Sequence, residues 1–155
     1  MNIRSMDSQD LKETSLVHKE AFERQCHSHA WLECNVNAYP RALCFVAVIN
    51  NAIVGYIIWS QKSGFRRETV LELEQIAVLK NHQNQGVGRN LIVSSLSEVR
   101  NKLSNQDSLL KHIMVTTRAD NDAQKLYKDT LGAEIEATIT NLYSADEVVM
   151  VARNV

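Results

Sequence analysis

Three sets of side chains in this sequence have types and spacings that suit chemistry. The first is the glycine pair Gly86 and Gly88, with Gln83 three residues ahead of it. An apolar run ends just before the pair. After it, Val87, Leu91, Leu96, Val99 and Leu103 keep to one side of a helix. A strand that passes through a glycine turn into a helix aims several backbone N–H groups at one point, and the helix adds the positive end of its dipole. Such a turn suits an anion such as a pyrophosphate, because glycine lets backbone approach it without a Cβ in the way. The spacing is not Gly-x-Gly-x-x-Gly, since Leu91 stands three after Gly88. Nor is it a P-loop, since Arg89-Asn90 occupy the Lys-Ser/Thr positions. On composition alone a purely structural turn explains the pair as well.

The second set is Glu72 and Glu74, which alternate with Leu71, Leu73 and Gln75. In a regular strand both carboxylates lie on one face, ~6.6 Å apart from two residues of strand rise. They form either a solvated strand face or a pair of proton acceptors, and a bulge would change which one points inward. The third is Tyr127, on the stripe Ala123, Leu126, Tyr127, Thr130 and Leu131. That period accommodates a core tyrosine and a tyrosine facing a site alike.

These residues need elements to carry them. Ile3–Ser5 reads as a short strand, with Asp7 or Ser8 as N-cap of a helix reaching about Arg24. A second helix spans roughly His29–Ala38, stopped by Pro40. Leu43–Ile49 and Ala52–Trp59 are rich in β-branched and aromatic residues, and Asn50-Asn51 joins them as a hairpin. A polar, basic loop at Gln61–Glu68 leads to a strand over Val70–Leu79, and the glycine helix follows. His112–Thr117 is a further strand, and the Tyr127 stripe is a helix ending at Gly132. Ala133–Leu142 and Glu147–Ala152 close the chain as antiparallel strands. The order β-α-α-β-β-β-α-β-α-β-β predicts an α+β fold: a mixed, mostly antiparallel central sheet with helices on both faces.

The chain has 155 residues, enough for one domain over 1–155 with a full core. A net charge of −1 argues against a partner recruited by bulk charge, so no nucleic acid is expected. No apolar run reaches the ~20 residues a bilayer requires, so no membrane is expected either. The first residues lack a leader-like apolar run, which makes the cytoplasm the expected location. Cys26, Cys34 and Cys44 are odd in number and not closely paired, which fits a reducing compartment better than a disulfide framework. Cys26, His27, His29 and Cys34 match no familiar zinc spacing, and no metal is expected. Phe45, Tyr56 and Trp59 read as packed sheet residues rather than a stacking platform for bases.

Two segments together resemble a known family. Gln83-Asn84-Gln85-Gly86-Val87-Gly88 resembles the (Gln/Arg)-x-x-Gly-x-(Gly/Ala) signature of the GNAT superfamily of acyl-CoA-dependent N-acetyltransferases, and Ile76-Ala77-Val78 resembles the strand before it. Asn121-Asp122-Ala123-Gln124-Lys125-Leu126-Tyr127 resembles the family's second motif. The likeness is strongest over residues 45–132. Tyr127 to Gly132 is one residue longer than the commonest ending, and Ala133 replaces an aromatic residue.

The resemblance implies transfer of an acetyl group from acetyl-CoA to a primary amine, with a homodimer left open. It implies that the amides of Gln85, Gly86, Val87, Gly88 and Arg89 hold the pyrophosphate, with Gln83 and Asn84 beside them. The backbone of Ile76, Ala77 and Val78 would pair with the pantetheine arm as an added strand. The amide of Ala77 or Val78 would face the thioester oxygen, and Asn121 would touch the pantetheine. Tyr127 would protonate the departing thiolate, while Glu72 or Glu74 takes the proton of the amine. A non-catalytic acyl-CoA-binding domain is the alternative on the same fold, and a nucleotide-binding protein is the alternative on the glycine turn alone.

Overall fold

The structure, a computed structural model, describes residues 1–155. Seven strands form one sheet: β1 (Asn2–Ser5), β2 (Ala42–Ile49), β3 (Ala52–Gln61), β4 (Glu68–Val78), β5 (Leu109–Arg118), β6 (Glu134–Ile139) and β7 (Glu147–Arg153). Their order is β1-β2-β3-β4-β5-β7-β6, and every neighbouring pair is antiparallel except β4–β5. Helices α1 (Leu11–Ala21) and α2 (Ser28–Asn37) cover one face, and α3 (Val87–Ser104) and α4 (Ala123–Leu131) the other. This is the mixed, mostly antiparallel sheet with helices on both faces that the pattern predicts. No helix is long and apolar enough to cross a membrane.

The hairpin turn follows from its two asparagines. Asn50 and Asn51 have φ of 50° and 63°, the left-handed pair that a two-residue turn between twisted strands requires. Strands β2 and β3 are buried on both faces, which is why they read as nearly continuous apolar runs. On the α3–α4 side Trp59, Ile57 and Phe45 pack with Leu91, Ile92 and Leu103. The Trp59 indole N–H also donates to Ser95 Oγ at 2.8 Å, seating α3 on β3. On the α1–α2 side Val17 and Leu32 pack with Tyr56 and Ile58.

The first helix starts later and ends earlier than its sequence suggests, at Leu11 and Ala21 instead of near Ser8 and Arg24. Asp7 does not cap it. The Asp7 carboxylate accepts from the Gln9 N–H at 2.8 Å, a local turn that competes with helix entry. Asp10 holds the N-cap position but turns its side chain away from the helix. It accepts two bonds from Arg4, at 2.6 and 2.7 Å, and one from the Asp7 N–H at 2.9 Å. The bond from the Arg4 guanidinium holds this carboxyl below its ordinary range, against the opposing effect of burial. Asp10 is buried while Arg4 stays half in water, so screening reduces the value of the pair. We expect Asp10→Asn to cost about 1–2 kcal/mol in urea unfolding at pH 7. A depressed folded pKa stabilises above the unfolded value of ~3.9 and is lost as pH falls through the folded one. The gap between the two proteins therefore closes below about pH 4.

The feature that makes a site lies between β4 and β5. Their pairing runs only from Glu68–Leu109 to Glu72–Met114, and beyond it the strands diverge. On its other side β4 carries a bulge against β3: Ile58 pairs with Gln75 and Trp59 with Leu73, leaving Glu74 as the extra residue. A bulge bends its strand and raises the local twist, which turns β4 away from β5 where their pairing stops.

Candidate active site

Beyond β4 the chain makes a single 3-10 turn, Lys80–His82, then the Gln83–Gly86 loop, and enters α3 at Val87. Asn84 and Gly86 take left-handed φ of 58° and 80°, which coil the loop beneath the helix end. Two glutamine side chains fix its shape. Gln83 Nε2 donates to the Val78 carbonyl at 3.0 Å, and Gln85 Nε2 to that of Asn81 at 2.9 Å. Within this frame, six consecutive backbone N–H groups, Asn84 to Arg89, donate to no acceptor in the protein. Helix N-termini leave such donors for an anion, and the 18-residue α3 adds its dipole. The two glycines do different work. Gly86 supplies the positive φ, whereas a Cβ on Gly88 would stand 3.2 Å from Leu126 Cδ2, so Gly88 brings α3 close to α4.

The loop opens into a cleft of about 650 Å³ where β4 and β5 diverge. Ile76, Ala77, Val78, Gln83, Asn84, Gly86, Val87, Gly88, Arg89, Asn121, Tyr127 and Glu74 all border it. The side chain of Gln85, tied to Asn81, stays behind the loop. Strand alternation assigns the β4 backbone. The Leu79 N–H donates to Val54 on β3 at 2.9 Å, so the Ala77 N–H points the same way and those of Ile76 and Val78 point into the cleft. Of the two amides expected at a thioester oxygen, geometry therefore favours that of Val78. Asn121 is held at both ends of its amide: Nδ2 donates to Thr117 Oγ1 and Oδ1 accepts the Ala123 N–H, each at 2.9 Å. It anchors the start of α4 at the rim of the cleft.

The Tyr127 ring lies in the core beside α3, and its hydroxyl bonds to no protein group and reaches the cleft. Burial pushes its pKa up to about 12, so the phenol keeps its proton throughout the neutral range. Gly132 ends α4 in the left-handed conformation (φ 69°) despite the extra residue in that segment.

The two glutamates part company. Glu72 is ion-paired with Lys62 at 2.7 Å, and Lys62 begins the basic loop. Glu74, at the bulge, lines the cleft and accepts a bond from Ser60 Oγ at 3.2 Å. The regular alternation assumed from the sequence does not hold across that bulge. Cys26 and Cys34 are exposed, and no three His, Cys, Asp or Glu side chains gather closely enough to hold a metal.

Sequence reasoning missed Gln75. It is buried, with its side chain on the α1–α2 side next to Glu74, and it bonds to Trp31, Tyr56 and Gln25. A glutamine amid Leu71-Glu72-Leu73-Glu74 reads as one more polar strand residue. Its only signal is that it falls where alternation predicts a buried side chain.

A cradle of free amides at a helix start, beside an unpaired strand edge, suits a long, thin ligand with an anionic end. The chain belongs to the acetyltransferase (GNAT) family, whose model matches residues 9–133. No curated protein sequence matches it. Solved structures share its fold. The ribosomal-protein-S18-alanine N-acetyltransferase from Escherichia coli aligns with TM-score 0.78 at 21% identity, over 99% of this chain and 93% of that one. Ard1 from Thermoplasma volcanium aligns with TM-score 0.78 at 22% identity, over 99% and 97%. Arabidopsis thaliana NAA60 in complex with acetyl-CoA aligns with TM-score 0.76 at 17% identity, over 97% and 96%.

Proposed function

We propose that residues 1–155 act as a single N-acetyltransferase domain that moves an acetyl group from acetyl-CoA to a primary amine by direct transfer. The observation that carries this reading is the set of free donors bordering one cleft. It comprises the six amides of Asn84–Arg89 and the inward N–H groups of Val78 and Ile76, with the Tyr127 hydroxyl opposite. Acetyl-CoA supplies an acyl group already activated as a thioester. The loop amides suit its pyrophosphate, and the free β4 edge suits the amides of its pantetheine arm.

Glu74 accepts the proton that an ammonium must lose before its nitrogen can attack. The Val78 N–H donates to the carbonyl oxygen as charge gathers there. As the new N–C bond forms and the C–S bond breaks, the Tyr127 hydroxyl donates a hydrogen bond to the departing sulfur, and the proton that the acylated nitrogen sheds leaves to solvent. A phenol raised to about 12 holds that proton more tightly than an ordinary thiol near 8.5 does, so Tyr127 acts chiefly as a hydrogen-bond donor to the thiolate. No step needs an enzyme thiol, and all three cysteines are free, in keeping with a reducing, cytoplasmic setting.

The test pairs thermal-shift titration with release of free thiol. Acetyl-CoA should raise Tm where ATP and NAD do not. Thiol should then be released with at least one of a tetrapeptide N-terminus, a blocked lysine, spermidine, kanamycin, glycine or glucosamine. Stabilisation by ATP or NAD but not by acetyl-CoA overturns the ligand assignment. Tight binding with no thiol release on any amine turns the reading toward a regulatory acyl-CoA-binding domain.

A further inference from the structure

Behind the cleft, a partly buried polar chain crosses four elements. Trp31 of α2 donates its indole N–H to Gln75 Oε1 at 2.8 Å, and Tyr56 of β3 donates its hydroxyl to the same oxygen at 2.9 Å. Gln75 Nε2 donates to Gln25 Oε1 at 3.0 Å. Nε2 of His18, on α1, stands 3.0 Å from that same Gln25 oxygen, and Nδ1 stands 2.9 Å from Ser28 Oγ.

The chain has a direction, and one residue sets it. An indole nitrogen can only donate, so the Gln75 atom facing it must be the oxygen. Gln75 therefore presents its NH2 to Gln25, and Gln25 must answer with its oxygen. His18 Nε2, facing that oxygen, must carry the ring proton. His18 is fully buried, and burial lowers its pKa, so the ring is neutral and Nδ1 accepts from the Ser28 hydroxyl. The Trp31 and Tyr56 donors, Gln75 Oε1 and both ring nitrogens of His18 are thereby paired, and paired polar groups of this kind rigidify their surroundings. Gln25 and Ser28 lie in the α1–α2 turn and at the start of α2. Phe22 and Glu23, where that turn leaves α1, border the cleft. Gln75 is the residue after Glu74.

We propose that Gln75 is a positioning residue: the one-way chain from Trp31 through Gln75 and Gln25 to His18 locks the α1–α2 turn, as the wall of the acceptor half, against the strand carrying Glu74. Only the assignment of that wall to an acceptor amine rests on the acetyltransferase reading.

The test begins without any amine. Long-range 1H–15N imidazole spectra of the full chain at pH 7 should show His18 as a single Nε2–H tautomer. Gln75→Met keeps the bulk but relays nothing, and it should free the tautomer to mix. The same variant should speed amide exchange over residues 22–31 about tenfold, as expected for one lost hydrogen bond, with α3 unchanged. Gln75→Glu restores acceptors for Trp31 and Tyr56 but offers Gln25 no N–H, so it should not restore the single Nε2–H tautomer. With the amine that releases thiol fastest from the unaltered protein, Gln75→Met should raise KM for that amine about tenfold while acetyl-CoA affinity holds. His18 found as Nδ1–H or as imidazolium, or turn amides that exchange alike in both proteins, overturns the chain. An altered turn with an unchanged KM overturns its role at the site. If no amine releases thiol, acetyl transfer fails while the tautomer result stands, so the two failures are distinguishable.

Discussion

Replacing Tyr127 with phenylalanine should lower turnover about 100-fold and leave acetyl-CoA binding intact. The ring sits in the core between the sheet and α3, and phenylalanine preserves that packing. What is lost is a phenolic hydroxyl that reaches the cleft, has no partner in the protein and keeps its proton throughout the neutral range. A thiolate leaving without that donor is left unpaired in a site walled by Leu73, Leu126 and Val115, where an unsatisfied charge is costly. Single-turnover rates, with acetyl-CoA affinity from calorimetry, check this. Equal single-turnover rates in the two proteins would remove Tyr127 from the chemistry.

Glu74→Gln should cost at least about 100-fold near pH 7, and the deficit should shrink as pH rises. An alkyl ammonium has a pKa near 10.4, so its neutral fraction grows about tenfold per pH unit below that value. Without the carboxylate, the variant depends on that fraction and its rate should climb with unit slope. The unaltered enzyme should flatten earlier. A pH–rate profile between 6 and 10 separates the two. If Glu72→Gln shows this behaviour and Glu74→Gln does not, the Lys62 pair must open in the working enzyme and the base is the other glutamate.

Much of this architecture can be read from local residue choice. Asn50-Asn51 announces a hairpin because two adjacent left-handed residues are rarely anything else, and the structure places both there. The strand–glycine–helix passage is equally local, so Gly86 and the α3 start at Val87 are found where the sequence puts them. Features that depend on distant partners are not legible. The bulge at Glu74 reflects the register of β4 on β3, and nothing in Leu71-Glu72-Leu73-Glu74-Gln75 marks the extra residue. Its consequence, one glutamate lining the cleft and its neighbour tied to Lys62, is hidden with it. Asp7 is a plausible cap by type, but the structure puts Asp10 at the N-cap position, with its carboxylate drawn away to Arg4. The chain through Gln75 joins residues up to 50 positions apart, beyond any periodicity.

The divergence of β4 from β5 leaves a slot in the middle of the sheet, where adjacent strands would otherwise lie ~4.8 Å apart. An open strand edge at the rim of a sheet invites other chains to add to it. This one is recessed between the end of α1, at Ala21 and Phe22, and α4, at Leu126 and Tyr127. A peptide strand entering there would drive its alternating side chains into both walls. A slender chain with amides but no branches can lie down against the same N–H and C=O groups. The recess therefore favours a slender chain over a peptide strand, and it shields an open strand edge that at the rim of a sheet would invite pairing.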